Sequence, residues 1–438
     1  MNKTAIVVGG GLAGVEAAIQ LAKKGIFVKL YEMKPVKFSP AHKNPDLAEL
    51  VCSNSLKAER LGSAAGLLKA EMELFGSVTV KCAKATKVPA GGALAVNRED
   101  FARLVTKAIQ DEPNIELIRQ EITEIPQADA VIIAAGPLVS DSLAKSIGEL
   151  CGRDFLSFFD AAAPVISGDS IDMSSAFTQS RYDRGGEDDY INCPMNKAEY
   201  EAFHEALVNA EIAELHTFDK RKGVYEGCMP IEVLAKRGAD AIRYGPMKPV
   251  GLNDPHTGHR PWAVLQLRKE NKEGSMYNMV GFQTNLKFSE QKRVFSMIPA
   301  LKEAEFVRYG VMHRNTFLNS PGLLDRHFAF IDRPNLFFAG QITGVEGYME
   351  SAAAGIMAGY NAAAMLTNEP MLELPNITMM GALANYISDE SVKDFQPMGA
   401  AFGLLPPLDE KIRDKKERYE KLAQRSMDWL TEKTNRKC

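Results

Sequence analysis

Two cysteines stand in surroundings that suit a reactive thiol. ELVCSNSLKAE, residues 49–59, sets Cys52 between an apolar pair and a polar run in which Ser53, Asn54 or Ser55 can cap a helix through Leu56 and Glu59. VYEGCMPIEVLAKRG sets Cys228 just before Pro230, which suits the first residue of a helix. A thiol beside a helix start has its pKa lowered by the positive end of the dipole, and the thiolate is the nucleophilic form. A free cysteine is also a good small buried hydrophobe, and spacing alone leaves both readings open. The other cysteines, Cys82, Cys151, Cys193 and Cys438, form no CxxC pair with these or with each other, so neither a disulfide framework nor a zinc site is expected. His256 and His259 lie in NDPHTGHRP, which reads as a solvated turn; no metal is expected.

A second chemistry-bearing pattern lies at the amino terminus. TAIVVGGGLAGVEAAIQLAKKGIFVKLYEM reads as strand, glycine turn, helix, strand. Gly9, Gly11 and Gly14 match GxGxxG: the first allows the tight turn, the second lets a pyrophosphate approach the backbone, and the third permits close helix-on-strand packing. Gly10, Leu12 and Ala13 complete a loop whose free N–H groups favour anions. Glu32, at the end of the second strand, stands near the ~20-residue offset at which an acid binds a ribose hydroxyl. The pattern fits a dinucleotide without separating FAD from NAD.

Positioning these residues requires more of the same sheet. ADAVIIAAGP, ending near Gly136, reads as a buried parallel strand, preceded by a helix over NREDFARLVTKAI with Asn97 as its cap. PNLFFAGQITGVEGYMESAAAGIMAGYNAAAML is another strand, a glycine loop and a helix of small residues that can pack closely against a cofactor. The expected architecture is therefore α/β: a Rossmann-like FAD-binding domain in two parts, residues 1–154 and 327–438, with an inserted α+β substrate domain at 155–326. Inside the insertion WAVLQL and MYNMVGF read as strands, and Asn196 opens a helix with an Asn-x-x-Glu capping box. The carboxy-terminal DEKIRDKKERYEKLAQRSMDWLTEKTNRK reads as an amphipathic helix with a solvated face.

The chain has 438 residues, 45% apolar and 25% charged, which fits a soluble globular protein of about two domains. No apolar run reaches the ~18 residues of a membrane span, so a cytoplasmic protein without membrane contact is expected. A net charge of -4 gives no global attraction to nucleic acid, so any RNA contact must come from a local basic face.

The segments GGGLAGVEAAIQLAKKGIFVKLYEMKP, SPAHKNPDLAELVCSNSLKAE, YEGCMPIEVLAKRG, GPMKPVGL, RYGVMHRNTFLNSP and AGQITGVEGYMESAAAG together resemble the bacterial folate- and FAD-dependent tRNA (uracil-5-)-methyltransferase family over nearly the whole chain. The larger flavoprotein that modifies the wobble uridine is a relative, with a carboxy-terminal helical domain for which this chain has no room. The resemblance implies methylenetetrahydrofolate as one-carbon donor, FAD in carrying and reducing that unit, NADH or NADPH as reductant, and the T-arm of tRNA as acceptor. The acceptor carbon of uracil is a poor nucleophile, and thiolate addition at the neighbouring ring carbon makes it enolate-like.

By the same resemblance Gly9 to Gly14 and Glu32 hold FAD, with Gly340, Gln341 and Gly347 near its other end and Tyr348 near the flavin ring. Cys228 is the nucleophile, Cys52 a general base or a thiol beside the flavin, and His313 stacks on the folate pteridine. Lys236, Arg237, Arg243, Lys248, Arg268 and Lys287 are the candidates for phosphate contact. The rival readings are an FAD-dependent oxidoreductase acting on a small molecule and a flavoprotein that binds and helps fold tRNA. Oligomeric state, the choice between NADH and NADPH, and the division of roles between the two cysteines stay open.

Overall fold

The computed structural model describes residues 3–152, 156–183, 186, 189–213, 229–393 and 395–435. A six-stranded sheet runs in the order β16 (Ala329–Phe330), β17 (Arg333–Phe338), β7 (Ala130–Ile133), β1 (Thr4–Val8), β2 (Phe27–Glu32), β6 (Ile115–Arg119). All neighbours pair parallel except β16 with β17. From β6 to β17 this is the doubly wound order, in which ligands bind outside the carboxyl ends of the strands where the winding reverses. Ala130 to Ile133 and Leu336 to Phe338 are fully buried at every consecutive position, so both faces of these strands are covered.

The helix of small residues, Tyr348–Thr367, packs on the first helix, Leu12–Lys23. A Cβ at Gly355 would come within 2.1 Å of Ala13 O, and one at Gly359 within 2.6 Å of Ala17 O. The small side chains thus serve helix contact rather than contact with a cofactor, as the sequence had suggested; only the first turn reaches the cleft described below. The carboxy-terminal helix Lys415–Asn435 docks an apolar stripe of Leu422, Ala423 and Leu430 into the same core.

A second six-stranded sheet, antiparallel throughout, runs β10 (Phe177–Thr178), β11 (Tyr190–Met195), β12 (Ala263–Lys269), β13 (Met276–Met279), β9 (Val165–Ser167), β14 (Phe306–Arg308). One face packs Ile166, Ile191, Cys193, Leu265, Leu267 and Met279 with Phe203, Phe282 and Phe295 in a separate core. The opposite face carries Asn192, Gln266, Arg268 and Asn278, also buried. A pair, β8 (Leu156–Ala161) with β15 (Met312–Phe317), and a small sheet of β3 (Ser55–Ala58), β5 (Ala93–Val96) and β4 (Lys87–Val88) complete the strands among the described residues.

Local signals set several elements. The Asn97 side chain accepts from Asp100 N at 3.2 Å, and Asn196 and Glu199 form the reciprocal capping box before the helix Lys197–Val208. The stretch after Cys52 departs from expectation. It forms β3, paired with β5, and the next helix starts at Ala64 with Ser63 as its cap. Lys57 there has φ of 63°, which a helix excludes.

Candidate active site

A single cleft at the carboxyl ends of β1, β2 and β7 gathers residues that are far apart in sequence. Gly9, Gly10, Gly11, Leu12, Ala13, Glu32, Cys52, Gly136, Asn315, Gly340, Gln341 and Tyr348 all line it, and it holds about 1230 Å³ of empty space including its mouth. The three motif glycines divide their work as the spacing implied. A Cβ on Gly9, whose φ is 106°, would come within 2.4 Å of Ala134 O, and one on Gly14 within 1.8 Å of Gly9 O. At Gly11 nothing of the protein lies within 4 Å, which leaves backbone open for a pyrophosphate. Glu32 is fixed in the wall by Gly10 N, donating to Oε2 at 2.7 Å, and Lys34 N, donating to Oε1 at 2.9 Å. The cradle therefore fits a dinucleotide such as FAD.

At the far side, Gly340 takes φ of 82°, and a Cβ there would stand 2.8 Å from that of Ala13. Gln341 is tied by Nε2 to Glu346 at 2.6 Å. Gly347, expected at the cofactor, is not in the cleft lining. A Cβ there would strike the Glu350 carboxylate at 2.2 Å, so this glycine makes room for the ion pair of Glu350 with Lys57 at 2.8 Å.

Cys52 faces Tyr348, the first residue of its helix, across the cleft wall. The tyrosine hydroxyl lies 3.1 Å from Sγ and accepts from Cys52 N at 2.9 Å and Ser53 N at 3.3 Å. Burial, and then the thiol's negative form, push the phenol well above its ordinary pKa, so it stays protonated. The helix start that Cys52 meets is therefore this one, 296 residues away, rather than one in its own segment.

Arg98 anchors the loop before the thiol. Its Nη1 donates to Leu50 O and Val51 O, both at 2.9 Å, while Nε and Nη2 bind the Glu270 carboxylate at 2.6 and 2.9 Å. Burial opposes its charge, but the Glu270 carboxylate more than offsets this and holds the guanidinium above its ordinary pKa. Sequence reading missed Arg98. The available signal was a cation in the first turn of a helix, where the dipole disfavours it.

Arg268 corrects the list of phosphate contacts. It is 6% exposed, and its Nε and Nη2 donate to Asn54 Oδ1 and Ser53 Oγ, each at 2.9 Å, so it buttresses the cysteine loop instead of meeting a polyanion at the surface. Lys236, Arg237 and Lys248 are exposed. Arg243 stacks on Trp262 at 3.8 Å, and Lys287 pairs with Glu211 at 2.6 Å. Cys228 lies outside the described residues; Pro230, two positions on, caps the short helix Ile231–Ala235 instead of being its first residue. His313 has its backbone in β15, opposite position 160 of β8.

Strand order, glycine cradle and cleft define a dinucleotide-binding protein of the doubly wound class, with a second sheet inserted between its strands. The chain belongs to the family described as Glucose inhibited division protein A, whose model matches residues 4–370. It is 57% identical over 426 residues, 97% of each chain, to the methylenetetrahydrofolate–tRNA-(uracil-5-)-methyltransferase TrmFO of Acetivibrio thermocellus. It is 56% identical over 433 residues, again 97% of each chain, to the TrmFO of Streptococcus gordonii. Among solved structures, GidA of Aquifex aeolicus in its form I crystal aligns with a TM-score of 0.70 at 16% identity, covering 99% of this chain and 76% of that one, which is a likeness of fold.

Proposed function

We propose that this chain methylates carbon 5 of the T-arm uridine in tRNA, with methylenetetrahydrofolate as one-carbon donor, FAD in the cleft and NADH or NADPH as reductant. The identity with the TrmFO relatives supports the reaction. Within the molecule, the reading rests on a thiol paired with a buried phenol in the wall of the dinucleotide cleft. FAD, when bound, supplies the reducing equivalents that bring the one-carbon unit to a methyl group.

The protein's own groups do the rest. The Cys228 thiolate adds to the ring carbon beside the acceptor position, and the ring's electron pair moves toward the carbonyl to give an enolate-like acceptor carbon. Once that carbon has bonded to the one-carbon unit, Cys52 removes its proton and the bond to Cys228 breaks. Tyr348, held protonated, orients the Cys52 sulfur. His313 stacks on the pteridine, and the exposed Lys236, Arg237 and Lys248 draw in tRNA phosphates.

The division of labour between domains follows the sheets: 1–154 and 327–438 supply FAD-binding strands, while 155–326 carry the antiparallel sheet for folate and tRNA. No helix among the described residues is long and apolar enough to cross a membrane, and a cytoplasmic enzyme is the reading in keeping with its tRNA substrate.

The test uses tRNA bearing 5-fluorouracil, where fluorine blocks the elimination that frees the enzyme. Covalent capture is expected in the parent protein and in Cys52→Ala, and absent in Cys228→Ala. Capture through Cys52 alone would exchange the two roles, and absence of capture together with no methylation of unmodified tRNA would defeat the reading.

A further inference from the structure

The polar face of the inserted sheet contains a cation that pairs with no acid among the described residues. On β14 the register slips between Phe306, opposite Ile166, and Arg308, opposite Val165. Ile166 belongs to the second core, and Phe306 packs against it. Val165, the next residue along β9, projects to the other side of the sheet. The slip therefore turns Arg308 onto the polar face, as strand bulges beside functional sites commonly do. Val165 is also opposite Asn278 of β13, which is in turn opposite Arg268 of β12, so Arg268, Asn278, Val165 and Arg308 form one cross-strand row in which Val165 separates the amide from Arg308.

The three differ in what they bind. Arg268 is satisfied by Asn54 and Ser53. Arg308 Nε and Nη2 and Asn278 Nδ2 are buried without a hydrogen-bond partner among the described residues, whereas Arg98 nearby binds both oxygens of Glu270. The charged and titratable groups that Arg308 senses are Arg98, Glu270, Tyr348 and Cys52, and the same sheet face holds the cysteine loop through Arg268 and Ser53. Burial and the like charge of Arg98 both disfavour its protonated form. Three unfilled N–H-bearing atoms with no unfilled acceptor among them call for an oxygen, and a half-buried guanidinium with two nitrogens out of solvent calls for one with negative charge.

We propose that Arg308 and Asn278 form an anion-binding subsite on the sheet face that holds the cysteine loop, which takes a negatively charged oxygen from substrate. The source of that oxygen rests on the function proposed above: it is either a carboxylate of the folate tail or the uracil carbonyl oxygen that gains charge as a thiolate adds to the ring. Filling the subsite pairs the cation and satisfies the amide in one step, so its occupant is bound more tightly as its charge grows.

The test begins without substrate. Asn278→Asp places a carboxylate directly opposite Arg268 and one residue, Val165, from Arg308, and its melting temperature should rise above that of the parent protein; part of the gain should vanish in Asn278→Asp with Arg308→Gln. Next, tetrahydrofolate affinity and the rate of capture on 5-fluorouracil tRNA are measured for Arg308→Gln and Asn278→Asp, with flavin content checked. A tenfold or greater loss of folate affinity alone assigns the carboxylate; a tenfold or greater loss of capture rate alone assigns the ring oxygen. Arg308→Lys should retain part of either. Both quantities within twofold of the parent, Asn278→Asp failing to stabilise, or loss of flavin on Arg308→Gln would each overturn the subsite. If the parent protein itself neither bound folate nor captured tRNA, the proposed function would fail, while the thermal comparison would still decide whether Arg308 lacks an anion.

Discussion

The two large sheets bury their residues in different ways. In the parallel sheet the buried strands are apolar along their length, as in Ala130 to Ile133, because both of their faces are covered. In the antiparallel sheet Leu265 and Leu267 enter a core while Gln266 and Arg268, on the other side, are buried as well, at 8% and 6% exposure. Alternation of apolar and polar residues ordinarily marks a solvated face. Here it marks a covered face: Arg268 bonds the cysteine loop at Asn54 and Ser53, while Asn192 and Gln266 bond each other and the segment from Phe177 to Arg181. Burial of polarity, rather than burial itself, separates the antiparallel sheet from the parallel one.

The comparison breaks most severely at the glycine turn. Gly14→Val would drive a side chain into Gly9 O, 1.8 Å from where its Cβ must sit, and should cost more than ~4–5 kcal/mol and leave little soluble protein. Gly11→Val meets no protein atom within 4 Å and should fold but emerge without flavin, which absorbance of the purified protein reads directly. A flavin-loaded Gly11→Val would remove the cradle from the cofactor site.

Next in size is the bridge between the sheets. Arg98→Met leaves Glu270 buried without its partner and frees the loop before Cys52, a loss of about 3–5 kcal/mol in urea unfolding. Arg98→Met with Glu270→Leu should recover most of it. If the double variant is as unstable as the single, the carbonyl contacts of Arg98 matter more than its ion pair.

Glu71 is an exception within the apolar core. It is fully buried and accepts from Met379 N, Met380 N and Ser426 Oγ, and burial nevertheless pushes its carboxyl up to about 7. With the folded pKa above the unfolded value, the native state holds the proton more tightly. Stability is then greatest below the unfolded pKa and falls as pH rises through about 7. The drop should be roughly 3 kcal/mol, given about 1.36 kcal/mol per unit. Glu71→Gln should flatten that slope in melts taken from pH 4.5 to 8. The smallest effect belongs to Lys287, whose ion pair with Glu211 is solvated: Lys287→Met should change stability by less than ~1 kcal/mol, against a severalfold larger loss for Arg268→Met.

Features read correctly from the sequence rest on interactions within a few residues or one turn of chain. The Asn97 cap, the Asn196 box and the glycine turn each specify a local backbone shape, and the strand–turn–helix around Gly9 closes within about 30 residues. The misread helix after Cys52 had capping residues in place, but β3 is set by pairing with β5 some forty residues on, and no local preference reports that.

The sequence by itself determined that the chain winds a dinucleotide cradle, that a second sheet interrupts it, and that two thiols stand in suggestive motifs, because periodicity, glycine placement and capping are properties of short segments. Only the tertiary structure decided that Cys52 meets Tyr348, that Arg98 joins the sheets through Glu270, that Arg268 faces inward and that Arg308 is left without an anion. Those facts depend on which surface covers a polar side chain, and that covering surface comes from residues a hundred or more positions away.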